Sequence, residues 1–182
     1  MVNSKQLNRR ILVVDDNPRI HNDFRKILDG SGWDGTALDM DEAALFDSKH
    51  VKTDMEPFEL SFAFQGQEAL LMVEAACAED RPFTVAFVDV RMPPGWDGVE
   101  TLEQIVQVDS EIQLVICTAF TDYSPFDILR RLGRSDRLLI LKKPFDMAEV
   151  ILMATALNEK WHLARMTATL TEVFAEAAFE AK

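Results

Sequence analysis

Four short apolar runs, residues 11–14, 85–88, 113–117 and 138–141, each break off at a polar residue and lead into a stretch with helical spacing. Runs of this length, rich in β-branched residues, read as strands buried on both faces. Residues 58–64 add a further strand with clearer alternation. Pro18 opens a helix in which Ile20, Phe24, Ile27 and Leu28 share one side, closed by Asp29-Gly30-Ser31-Gly32. Helices are also predicted over 66–79, with Ala69, Leu70, Val73, Ala76 and Cys77 inward, over 99–108, over 122–132, and from Asp146 almost to the end. Residues 30–57 follow neither period and read as a long connection carrying one short helix near 42–46.

Strands alternating with helices predict a parallel sheet covered on both faces, and right-handed crossovers make it a doubly wound α/β sandwich. Such sheets bind ligands beyond the carboxyl ends of their strands. The chemistry is therefore expected just after each apolar run.

Bulk properties narrow the function. A formal net charge of −12 opposes contact with phosphate backbones, so no direct nucleic-acid binding is expected. Cys77 and Cys117 sit in apolar surroundings and read as small buried hydrophobes, with neither a disulfide framework nor zinc spacing. The polar N-terminus has no signal-peptide pattern and no stretch is apolar enough to span a bilayer, which makes the cytoplasm the default compartment.

The strand ends carry, in order, Asp15-Asp16, Asp89, Thr118 and Lys143. Three carboxylates on one rim repel one another, and a hard divalent cation such as Mg²⁺ relieves them through oxygen ligands. One carboxylate can then act as a nucleophile toward phosphorus. Lys143 would neutralise phosphoryl oxygens, Thr118 would donate a hydroxyl to another, and Ala119 leaves room beside it. Such transfer needs positioning and charge neutralisation more than proton transfer.

The segments Val-Val-Asp-Asp-Asn, Val-Asp-Val-Arg-Met-Pro-Pro-Gly-Trp-Asp-Gly, Cys-Thr-Ala and Lys-Lys-Pro-Phe resemble the four signature segments of bacterial two-component response-regulator receiver domains, in that family's order. The resemblance covers residues 10–150. It implies a five-stranded sheet of flavodoxin-like order 2-1-3-4-5 in a three-layer sandwich. It further implies that Asp89 is the phosphoacceptor and that Asp15, Asp16, Asp89 and the backbone carbonyl of Arg91 hold Mg²⁺. Thr118 would be the switch hydroxyl, Lys143 the phosphate-pairing lysine and Lys143–Pro144 a cis bond. A histidine kinase or histidine phosphotransfer protein would be the donor, and an output domain, attached or separate, the recipient of the signal. Such a module assists its own phosphorylation and dephosphorylation but turns over no external substrate.

Four departures from the family stand out. The separation of Asp16 from Asp89 exceeds the usual spacing, the excess falling in 30–57. The segment Met92 to Gly98 is one residue longer than common. Ile140 occupies the position that often holds a switching aromatic. The last helix continues well past residue 150.

Plainer readings apply to several residues. Asp15-Asp16-Asn17-Pro18 alone could be a polar turn and cap, Thr118 a strand residue, and Asp97-Gly98 a turn and cap rather than a ligand. Lys142 is expected to face solvent. His21 is expected to be partly exposed and structural, and His50 and His162 lack metal-ligand partners at useful spacing. Trp96 is expected beside the site.

The domain division is a receiver over 1–150, with the 30–57 insertion, and a helical extension over 151–182. In the extension Leu163, Met166, Leu170, Val173 and Ala177 follow a three-four spacing, with Phe174 alongside. That seam fits a homodimer or a signalling helix leading onward, against the alternative of an amphipathic helix folded back on the sheet. Ending at Lys182 in mid-pattern, the chain reads as cut from a longer protein. Two other functions compete with the phosphorylated switch. One is a receiver-shaped interaction module that is never phosphorylated. The other is a metal-dependent phosphohydrolase, which would place its paired aspartates two positions apart rather than adjacent.

Overall fold

The computed structural model describes residues 7–29, 56–119, 125–132 and 136–180. The short helix expected near 42–46 and all but the last two residues of the 30–57 insertion lie outside them. Five strands, β1 (Arg10–Val14), β2 (Glu59–Ala63), β3 (Val85–Asp89), β4 (Gln113–Thr118) and β5 (Leu138–Lys142), form one parallel sheet in the order β2-β1-β3-β4-β5. The helices are α1 (Pro18–Leu28), α2 (Gly66–Ala78), α3 (Gly98–Val108), α4 (Pro125–Leu132) and α5 (Met147–Glu180).

Strand alternation divides the apolar runs between two cores. Leu12, Val14, Ala86, Val88, Leu114 and Ile116 face α2, α3 and α4. Ile11, Val13, Val85, Phe87, Val115 and Cys117 face α1 and α5. The central strands bury both faces, which is why they read as unbroken hydrophobic sequence. The β2 strand, at one edge, is half-buried through Leu60, Ser61 and Phe62.

Local signals set the element ends. Asn17 caps α1 by accepting from the Arg19 amide at 3.0 Å, and Asp97 caps α3 by accepting from the Glu100 amide at 2.7 Å. α2 ends in a Schellman turn: the Arg81 amide bonds Ala76 O, the Asp80 amide bonds Cys77 O, and Asp80 takes φ 53°. Gly98 is fixed by close approach. A Cβ there would lie 2.1 Å from the Asp89 carbonyl oxygen, so only glycine lets α3 start against the end of β3.

Two expectations change. His21 is buried, its ring packed 5.0 Å from the Phe62 ring and 4.6 Å from that of Phe64, because α1 is pulled onto the β2 edge. Cys77 is only half-buried, near the end of α2.

The last helix is one continuous 34-residue element with two environments. Val150, Ala154, Leu157 and Trp161 are buried and hold its first part on the sheet. Asn158 donates to Thr84 Oγ1 and to Asn8 O, both at 2.9 Å, at the amino ends of β3 and β1. The helix thus runs antiparallel to the strands. Beyond Trp161 it does not fold back on the sheet: Leu163, Met166, Leu170, Val173 and Phe174 are all more than half exposed.

Candidate functional site

The carboxyl ends of β1 and β3 lie side by side, paired Val14 to Val88, so the residues that follow each strand share one rim. Asp15 is buried at 2 % exposure; its Oδ1 accepts from the Asn17 amide at 2.9 Å and its own amide bonds Ala63 O at 3.1 Å. The turn that caps α1 therefore also fixes this carboxylate. Asp16, one residue on, is exposed. Asp89 Oδ2 accepts from the Arg91 amide at 3.0 Å. Ligand oxygens of Asp15, Asp16 and Asp89 all lie within 4.8 Å of one another.

Lys143 closes the group. Its amide bonds Thr118 O at 2.9 Å, which ties the β5–α5 turn to the end of β4. Its ammonium stands 2.6 Å from Asp15 Oδ2 and 2.5 Å from Asp89 Oδ1. Lys142 is exposed. Thr118 is buried, its hydroxyl donating to Ala119 O at 3.0 Å. Arg91, two residues beyond Asp89, is exposed. The Lys143–Pro144 bond is cis, as the resemblance implies, and so is Pro93–Pro94 in the lengthened segment.

One cation shared between two carboxylates explains the electrostatics. Burial opposes the charge on Lys143, but hydrogen bonds and charge from Asp15 and Asp89 outweigh it and hold the ammonium pKa above its usual value. Burial pushes the Asp89 carboxyl above the usual range; Lys143 pulls against this and the Asp15 charge adds to it. The lysine stays charged, yet cannot neutralise both acids. Cys117, fully enclosed behind the rim, has its thiol pushed far up by burial and is inert.

The loop after Asp89 is braced from outside its own sequence. Gln65, in the β2–α2 turn, donates to Pro93 O at 3.3 Å and packs against Gly95. No sequence pattern marks Gln65, since the contact exists only once β2 lies beside β1. Half-buried Trp96 lines a hollow with Val90, Arg91, Met92 and Asp97, in the loop that follows Asp89. Ile140 packs half-buried against the α2–α4 side of the core.

Three converging carboxylates offer the hard oxygen donors that a divalent cation takes, open to solvent through Asp16. A doubly wound sheet in this order, with an acidic cluster and one lysine gathered at its carboxyl edge, defines a receiver-type α/β domain. Sporulation initiation phosphotransferase F of Bacillus subtilis is 30% identical over 95 residues, a match spanning 52% of this chain and 69% of that protein. The chain belongs to the response-regulator receiver family.

Solved structures share the fold. An adenylate cyclase from Rhodopirellula baltica aligns with TM-score 0.64 and 22% identity over 91% of this chain and 98% of its own. A response-regulator receiver domain protein from Methanospirillum hungatei aligns with TM-score 0.59 and 18% identity over 86% and 98%. No family model matches the chain.

Proposed function

We propose that this chain is a phosphorylation-controlled switch whose acceptor is Asp89. The observation that carries the reading is the Lys143 ammonium held at 2.5 Å from Asp89 Oδ1, inside a cluster of three carboxylates. An Asp89 oxygen attacks the phosphorus of a phosphohistidine on a kinase or phosphotransfer protein. The new P–O bond forms as the P–N bond breaks, and its electron pair leaves on the donor imidazole. Mg²⁺, held by Asp15, Asp16, Asp89 and the Arg91 carbonyl, would offset the charge of the incoming phosphoryl oxygens. Lys143 turns from its two carboxylates toward one phosphoryl oxygen, and the Thr118 hydroxyl leaves Ala119 O for another.

Two consequences follow for the readout. Thr118 lies at the end of β4 and Lys143 just after β5, so their movement alters the face built by α4 and β5. Half-buried Ile140 has no ring to rotate, so the change passes through the β4–α4 and β5–α5 connections rather than an aromatic relay. An output domain or separate partner reads that face. The receiver over 1–150, the extension over 151–182 and a cytoplasmic location belong to the same reading, with the stretch from Val150 to Trp161 serving the receiver core.

Incubation with Mg²⁺ and acetyl phosphate tests it. The intact protein should gain one phosphoryl mass, and Asp89→Asn should gain none. No gain in the unaltered protein, or an equal gain in Asp89→Asn, defeats the proposal.

A further inference from the structure

The amino edge of the sheet carries a local charge opposite to that of the whole chain. Against a formal net charge of −12, four of the eleven arginines, Arg9, Arg10, Arg81 and Arg165, line one hollow of about 810 Å³. Arg9 and Arg10 stand at the start of β1, Arg81 shortly precedes β3, and Arg165 comes from α5, so three parts of the chain converge. A hollow of this size suits a small ligand. Three of the guanidinium groups lie on aromatic rings: Arg9 is 4.0 Å from the Phe58 centroid, Arg10 4.5 Å from that of Phe83, and Arg165 4.9 Å from that of Trp161. The three rings are themselves buried, which gives the arginines a fixed floor. Stacking holds a guanidinium by its face and leaves its in-plane N–H edge for an anion.

The acids nearby do not meet this demand. Glu59 is shared between two cations, pairing with Arg10 at 3.2 Å and with Arg81 at 3.1 Å. Arg165 pairs with Glu111 at 3.2 Å. Among the described residues no carboxylate lies within ion-pair distance of Arg9, and its buried Nε has no hydrogen-bond partner. Burial pulls the Arg9 pKa below its usual value, and the charges of Glu56 and Glu159 offset this only in part. Glu56 and Asp80, the other acids lining the hollow, are exposed. Four arginines against Glu56, Glu59 and Asp80 leave the lining with an excess of positive charge. A partly buried cation without a counter-ion is relieved by an anionic ligand.

We infer that this hollow binds a small phosphate-bearing molecule, with Arg9 as its main partner and Arg10, Arg81 and Arg165 supplying further donors. The acidity of the rest of the chain repels a long polyanion but leaves a compact one free to enter. Carboxylates and phosphates both fit a guanidinium fork. A phosphate offers more oxygens and more charge to arginines that arrive from three directions. The site lies at the edge of the sheet opposite the Asp89 cluster, and its test uses neither acetyl phosphate nor Mg²⁺.

Calorimetric titration of the whole protein with pyrophosphate, in EDTA so that no metal holds phosphate beside Asp89, should give a saturable one-to-one isotherm. The affinity should fall as salt is raised. Arg9→Gln should weaken binding by about ten-fold or more, and so should Arg165→Gln. Circular dichroism melts establish that each variant is folded; Arg165 is exposed, so its variant decides the matter if the Arg9 change unfolds the domain. Succinate should bind about ten-fold more weakly than pyrophosphate, or worse. The absence of saturable heat at millimolar pyrophosphate overturns the inference, as does undiminished affinity in either folded variant. Succinate binding as tightly as pyrophosphate would assign the hollow to carboxylates and overturn it equally.

Discussion

Lys143 and Asp15, 128 positions apart in sequence, meet at 2.6 Å, and the same ammonium reaches Asp89 at 2.5 Å. A single lysine thus holds one buried and one half-buried acid of the same sign. The cluster is assembled by the fold itself, and it is assembled under electrostatic tension.

Removing the lysine exposes that tension. Lys143→Met leaves the acid pair without its cation, and stability in urea should fall by about 2–3 kcal/mol, below the full cost of breaking a buried pair because the lysine is partly solvated. Adding Asp89→Asn to Lys143→Met should restore part of the loss. Additive effects in the double variant would show that the two residues are not coupled.

The Asp89 carboxyl makes stability depend on pH with a definite sign. Burial raises its folded pKa above the unfolded carboxylate value, so the folded state keeps a proton that the unfolded state has released. Its contribution is full below the unfolded value and is lost as pH rises through the folded one. Asp89→Asn should therefore be more stable than the unaltered protein near neutrality, with the advantage shrinking on acidification. Urea midpoints for both proteins across the acid range check this; a constant difference sinks it.

Lys143 also carries a raised pKa, in the alkaline range, through its two acidic partners. Its stabilisation is complete below the unfolded lysine value and should fade as pH rises through the folded one. The unaltered protein should lose this increment under alkaline conditions, whereas Lys143→Met should not. Parallel alkaline melts of the two proteins provide the comparison.

Divalent metal should relieve the same repulsion. At a Mg²⁺ concentration about ten times its dissociation constant, stability should rise by about 1.4 kcal/mol, with no phosphodonor present. Asp16→Ala, at an exposed position, should abolish the response while leaving the metal-free melting temperature nearly unchanged. An undiminished response in that variant would place the metal elsewhere.

Gly98 tests how closely α3 must approach Asp89. Gly98→Ala sets a methyl against the Asp89 carbonyl and should destabilise the domain by about 2 kcal/mol or more. It should also slow labelling by acetyl phosphate, because Asp89 shifts with its own carbonyl. Unchanged stability together with unchanged labelling would show that the loop yields at no cost.

Sequence alone determined the sheet and which polar residues line its carboxyl edge. Apolar runs at Ile11, Val85 and Leu114 could only be strands covered on both faces, and the polar residues that end them had to collect on one edge. Asp15, Asp89, Thr118 and Lys143 were legible for that reason. The cap residues Asn17 and Asp97 were also legible, because their hydrogen bonds are local.

The tertiary structure decided what depends on distance across the chain. It buried His21 between Phe62 and Phe64, braced the loop after Asp89 with Gln65, and divided one lysine between two acids. It also decided the fate of α5, whose two halves read alike as helix. Packing against the sheet ends at Trp161, because the sheet itself ends there, and the same apolar period then continues into solvent. Periodicity reveals that a helix has an apolar stripe; only the extent of the surface beneath it decides where that stripe is left to find another partner.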